Sequence, residues 1–204
     1  LFRIITGEME PDSGKVERMK KAKMACLAQF PDIETSKTIH HVALDQFADL
    51  IQMEHELSRL EARIADGSDE ALEEYSVLQD AFMVRGGYEF RHTIDRVLTG
   101  LGFSAADFGL PVSALSGGQR TRLMLALVLL EDADLLLLDE PENHLDLEAR
   151  EWLENFLKEW PRTFVIVSHD RHMLNSVATR IIEVENRGAR SYAGNYDRYL
   201  QEKA

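Results

Sequence analysis

Apolar residues recur along this chain with different periods, and each period predicts a different kind of element. Leu1 to Thr6 carries apolar side chains at helical spacing and stops at Gly7, a residue type that commonly ends helices. Pro11-Asp12-Ser13-Gly14 reads as a turn, and Met24 to Ala28 as a short buried strand ending at Gln29. From His40 the period changes. Leu50, Met53, Leu57, Leu60 and Ile64 recur at steps of three and four, the seam of a coiled coil. Ala65-Asp66-Gly67-Ser68 breaks it, and Leu72, Tyr75, Leu78 (or Gln79) and Phe82 resume a helical stripe. The two predict an antiparallel helical hairpin over about residues 45–84. Dense charge around the stripe and the abrupt stop at Gly86-Gly87 favour a protruding arm over two ordinary core helices.

The second half has another rhythm. An apolar helix is predicted from Arg120 to Leu130, and Leu135 to Leu138 is a continuous apolar run without alternation, as a strand buried on both faces requires. Leu147 to Trp160 places Leu153, Phe156, Leu157 and Trp160 at helical spacing, and Thr163 to Val167 is a second continuous strand. Strand and helix in alternation predict an α/β fold with a mainly parallel sheet and flanking helices. Ile181 to Val184 and Arg190 to Tyr192 flank Asn186-Arg187-Gly188, an antiparallel hairpin at the edge.

Charge narrows the partners. With 36 Asp and Glu against 23 Lys and Arg, the net charge is -13, so bulk attraction to a phosphate backbone or a membrane surface is excluded as a default. Residues 51–80 hold nine acids against Arg59 and Arg63, so the arm is no basic RNA-gripping surface; Arg85, Arg91, His92 and Arg96 beyond it can form a local patch. Cys26 is the one cysteine, which leaves no intrachain disulfide and suits a reducing compartment. The longest apolar run, Leu123 to Leu130, is too short to span a bilayer, and no basic segment followed by an apolar one marks an export signal. The chain opens at Leu1 inside an apolar pattern and reads as a piece of something longer.

Four local features carry chemistry. Leu115-Ser116-Gly117-Gly118-Gln119 runs directly into the apolar helix: the glycines let a ligand approach the backbone, Ser116 can cap the helix, and free amides at the helix start attract anions. On average composition that pentapeptide arises by chance in roughly one chain in 10⁴ of this length, so a plain capped helix is a poor account of it. Asp139-Glu140 ends an apolar strand, where ligand sites of parallel sheets gather. Asp139 can hold magnesium through water, and Glu140 can orient or deprotonate an attacking water. His169, in Ser168-His169-Asp170, ends the next strand and can hydrogen-bond a terminal phosphate. Gln29 can reach the metal or the attacking water.

Together and in this order, Gln29, Leu115 to Gln119, Asp139-Glu140 and His169 resemble the Q-loop, signature motif, Walker B strand and switch histidine of the ATP-binding-cassette ATPases; Asn143-His144-Leu145-Asp146 looks like their D-loop. The resemblance covers nearly the entire chain and implies a P-loop NTPase core that hydrolyses ATP to ADP and phosphate with Mg2+. It implies catalytic roles for Glu140, His169 and Gln29, metal binding by Asp139 and Gln29, and a D-loop Asp146. Ser116, Gly117, Gly118 and Gln119 should instead contact the nucleotide held by a partner domain.

Three features resemble the ABC-F branch. A stretch of 85 residues containing the hairpin separates Gln29 from Leu115, Asp139 to Asp146 reads D-E-P-E-N-H-L-D against the family's D-E-P-T-N-H-L-D, and Tyr192 to Leu200 looks like the passage from the first ATPase domain into the interdomain linker. That resemblance implies a cytoplasmic protein with two cassettes in one chain, no membrane domain, and partners among the ribosome, its rRNA and tRNA, in translation or antibiotic protection. Glu142, where Thr is usual, adds a carboxylate expected near the metal.

The family's phosphate loop, G-x-x-x-x-G-K-[ST], should precede the helix that Leu1 begins. Gly14-Lys15 does not supply it, because position 9 is Met and position 16 is Val, and Pro11 to Val16 instead resembles a turn and strand after the first helix. The chain as given is therefore expected to bind ATP poorly and to be inactive alone. The expected division is 1–34 as the core up to the Q-loop, 35–110 as a helical subdomain with the arm, and 111–204 as the signature, Walker B, D-loop, switch histidine and C-terminal strands. The alternatives are the ATPase subunit of a membrane transporter, which should lack a coiled-coil arm, and a non-catalytic scaffold.

Overall fold

Three parallel strands, β1 (Met24–Cys26), β2 (Leu135–Asp139) and β3 (Thr163–Val167), lie side by side with β2 in the centre. Cys26 pairs with Leu137 and Asp139 with Val167, so the carboxyl ends of β2 and β3 are level. The structure is a computed structural model that describes residues 1–19, 21–27, 33–185 and 188–203. Leu136, Leu137 and Leu138 are fully buried, which is why their run shows no alternation. The described residues divide into two compact units, one from 1–32, 100–102 and 116–204, the other from 33–99 and 103–115.

In the first unit, helix α1 (Phe2–Thr6) stops at Gly7, whose φ of 88° a side chain would strain, and Phe2 packs with Cys26 and Leu137. Residues 11–19 form bends and loop, not the strand expected at Val16; Val16 and Met19 are exposed and find no apolar face to bury. Helix α6 (Gly117–Leu130) precedes β2, α7 (Leu147–Glu159) follows it, and α8 (Arg171–Val177) follows β3. Leu123 and every residue from Leu125 to Leu130 are buried, so the second half of α6 is apolar all round because it is enclosed all round. Its start at Gly117, one turn earlier than the apolar run suggests, comes from the cap at Ser116. Strands β4 (Arg180–Glu185) and β5 (Gly188–Ala193) form an antiparallel two-stranded sheet. Helix α9 (Tyr196–Lys203) closes on it where Glu183 accepts the Tyr199 hydroxyl at 2.6 Å and pairs with Lys203.

The second unit holds α2 (Ile39–Asp45), α3 (Ala48–Ala65), α4 (Asp69–Val84) and most of α5 (Phe90–Gly100). Helices α3 and α4 pack as a hairpin. Leu50, Leu57 and Leu60 are buried on α3, as the seam predicts; on α4 the inward stripe runs through Ala71, Tyr75, Leu78 and Phe82. Leu72 is 56% exposed, because steps of three and four back from Phe82 arrive at Ala71. Ser68 caps the start of α4, and Gly86 (φ 76°) ends the hairpin by letting the Gly87 N–H turn back to the Phe82 carbonyl at 2.8 Å.

Two of the four candidate patch residues are engaged locally. Arg85 pairs with Asp49, and Arg91 grips the Glu54 carboxylate with two hydrogen bonds of 2.9 and 2.6 Å. Both guanidinium groups are spent on acids of α3, leaving His92 and Arg96 as the exposed remainder. Among the described residues no helix is long and apolar enough to cross a membrane.

Candidate functional site

The chain reverses sharply after β2. Glu140 (φ 45°) and His144 (φ 67°) occupy the left-handed region without being glycine, a strained conformation that has to be held by its surroundings. The Glu140 N–H donates to the Val167 carbonyl at 2.8 Å, the Asn143 N–H to the Glu140 carbonyl at 3.1 Å and the Leu145 N–H to the Glu142 carbonyl at 3.2 Å. These bonds fix the turn against the end of β3.

That turn presents the Glu140 carboxylate between two partners. The Asn143 side-chain amide donates to Oε2 at 2.8 Å, and His169 Nε2 lies 3.1 Å from Oε1. One residue of the same turn and one just past the next strand thus converge on one carboxylate. Glu140 keeps 36% of its side-chain surface and His169 keeps 88%, so both stay open to solvent from outside. Such a carboxylate can orient a water and take its proton. Asp139 is exposed at the same strand end and lines a cleft of about 270 Å3 with Glu140, Asn143 and His144, opposite Thr121 and Arg122. No group of three His, Cys, Asp or Glu side chains able to hold a metal exists among the described residues.

At the start of α6, Ser116 and Gln119 form a capping box: the Gln119 N–H donates to Ser116 Oγ at 3.3 Å, and the Ser116 N–H donates to Gln119 Oε1 at 3.0 Å. A side chain at Gly117 would meet nothing within 4 Å, and one at Gly118 would meet only His144, at 3.7 Å. The fold does not need these glycines; the space above them is open. Asp146 accepts the Ala149 N–H at 2.9 Å and is the cap of α7. Gln29 lies outside the described residues.

Glu142, the added carboxylate, turns inward. It is buried, and its Oε1 accepts the Ser168 hydroxyl and the His169 backbone N–H, the latter at 3.2 Å. The reversal at Glu140 turns the next side chains inward, toward β3. Sequence reasoning missed this link and the grip of Asn143 on Glu140; only the second had a readable signal, a side-chain amide three residues after the acid in a Pro-containing turn.

The family model described as ABC transporter matches residues 1–143. The chain belongs to this family. Its relatives include the ABC transporter F family member 5 of Arabidopsis thaliana, 37% identical over 210 residues and covering all of this chain and 30% of that protein. They also include the energy-dependent translational throttle protein EttA of Mycobacterium tuberculosis, 35% identical over 205 residues, covering all of this chain and 36% of that protein. Two of the relatives it matches are named as members of the ABC transporter F family. The chain thus spans about a third of the length of the curated relatives it matches. In structure it is similar to an archaeal ribosome recycling factor, aABCE1, solved in complex with the ribosomal stalk protein aP1: TM-score 0.60 at 23% identity, over 98% of this chain and 34% of that one, a likeness of fold.

Proposed function

We propose that this cassette hydrolyses ATP as one half of a facing pair in a longer, cytoplasmic ABC-F protein, and that the cycle acts on the ribosome. The observation that carries the reading is the Glu140 carboxylate held between Asn143 and His169 at the level ends of two parallel strands. Glu140 orients the attacking water and accepts its proton, and His169 donates to the terminal phosphate. Asp139 and Gln29 would hold Mg2+, which when bound would neutralise charge on the phosphates.

Ser116, Gly117, Gly118 and Gln119 face the nucleotide of the second cassette, where the open space above the α6 terminus admits a phosphate to unpaired amides. Asp146, by capping α7, holds the D-loop turn that carries Asn143 and His144. The ribosomal part of the reading draws on the ABC-F relatives, one of which is named for throttling translation, and on the α3–α4 hairpin, which a transporter subunit should lack.

The test is Glu140→Gln in the full-length protein. Turnover should fall roughly 10²–10⁴-fold, the range a general base supplies, while ATP binding is kept and the protein lingers on ribosomes. Unchanged turnover would rule out the role given to Glu140.

A further inference from the structure

Glu142 is 6% exposed, and its carboxylate bridges the turn after β2 and the turn after β3. Oε1 takes both donors, the Ser168 hydroxyl and the His169 N–H, while Oε2 is buried with no hydrogen-bond partner. A carboxylate enclosed with half of its acceptor capacity unused is a poor choice for stability alone. What it does hold is specific. Ser168 Oγ passes the link on by accepting the Asp170 N–H at 2.9 Å, and Asp170 Oδ1 caps α8 by accepting from His172 at 2.8 Å and Met173 at 3.3 Å. The His169 ring, with 88% of its side chain in solvent, gains little orientation from packing. Its approach to Glu140 is set by the backbone at 168–169, and the Glu142 side chain grips that backbone.

We propose that Glu142 is a positioning residue: through Ser168 and the His169 N–H it holds the switch turn so that the His169 ring stays against Glu140. This rests on the reading of Glu140 and His169 as the hydrolytic pair. Glu142→Gln keeps a carbonyl oxygen for both donors, whereas Glu142→Ala removes the acceptor and Glu142→Asp withdraws it by one methylene.

The experiment sets these three variants, alone and combined with His169→Ala, in the full-length protein, and reads ATP turnover and the NMR resonances of the His169 ring without nucleotide. The Ala and Asp variants should lower kcat by about 10–10²-fold, as a small misplacement of a reacting group does, with KM for ATP changed less than about threefold. Both should shift the His169 ring, and neither should lower turnover further once His169 is Ala. The Gln variant should stay within about threefold of wild type and leave the ring unshifted. A full multiplicative loss on top of His169→Ala, or an unshifted ring in the Ala and Asp variants, overturns the proposal. If the wild-type protein does not hydrolyse ATP, the hydrolytic reading fails, and the ring resonances still decide whether Glu142 positions His169.

Discussion

His169 Nε2 stands 3.1 Å from Glu140 Oε1 while the Asn143 amide holds Oε2 at 2.8 Å, so one carboxylate is fixed from both sides. A carboxylate free to rotate would present either oxygen to a water; clamped, it presents one geometry. A hydrogen bond to a charged group contributes about 1.5–3 kcal/mol when well buried and less when half exposed, as here. Asn143→Ala should therefore lower kcat by roughly tenfold and leave ATP affinity unaltered, as steady-state kinetics on the full-length protein would show. A wild-type kcat would mean that His169 alone orients Glu140.

A second histidine ties two helices. His172 on α8 has Nδ1 3.0 Å from Oε1 of the buried Glu154 on α7. The hydrogen bond to Glu154 raises the His172 pKa above its ordinary 6.5; the charges of Glu154 and Asp170 add to the rise, and Lys158 opposes it. With the folded value above the unfolded one, this stabilisation is fully present below pH 6.5 and is lost as pH rises through the folded value. Thermal melts of wild type and His172→Gln should differ most below pH 6.5 and converge in alkali. A constant difference across pH would contradict the link.

The parts of the fold that could be read from the sequence are those whose signal is local. Leu135 to Leu138 announces a doubly buried strand because no polar residue interrupts it, and Ser116 announces a helix cap because its partner, Gln119, is three residues away. What could not be read is long-range or a matter of phase. Leu72 and Ala71 are both apolar, so a one-residue error in the stripe leaves no trace in the composition. Arg85 and Arg91 look free until acids 36 and 37 residues earlier are brought beside them. Nothing local to Glu142 announces its bond to Ser168, 26 residues on.

For the hairpin, magnitudes decide between its polar and apolar fastenings. The Arg91–Glu54 pair is bidentate but half exposed, and exposed ion pairs contribute about 0–1 kcal/mol. Leu60 is 2% exposed, and removing such a side chain costs about 2–5 kcal/mol. Urea titrations should show Leu60→Ala destabilising the arm severalfold more than Arg91→Ala, with only the arginine effect shrinking at high salt. The reverse order would place the hairpin's stability in its charges.

Gly118 separates folding from function most cleanly. A methyl group there would meet only His144, at 3.7 Å, an ordinary contact, and Gly118 sits in the first turn of α6 without positive φ. Replacing glycine by alanine in a helix stabilises by about 0.5–1 kcal/mol in the interior and less near an end, so Gly118→Ala should fold at least as well as wild type. If the space above the α6 terminus admits the phosphates of a partner cassette's nucleotide, the added methyl group narrows it, and ATP turnover of the full-length protein should fall by about tenfold or more. Melting temperature and turnover, measured on the same preparation, should thus move in opposite directions. A variant that melts higher and hydrolyses ATP at the wild-type rate would remove the signature segment from the nucleotide site.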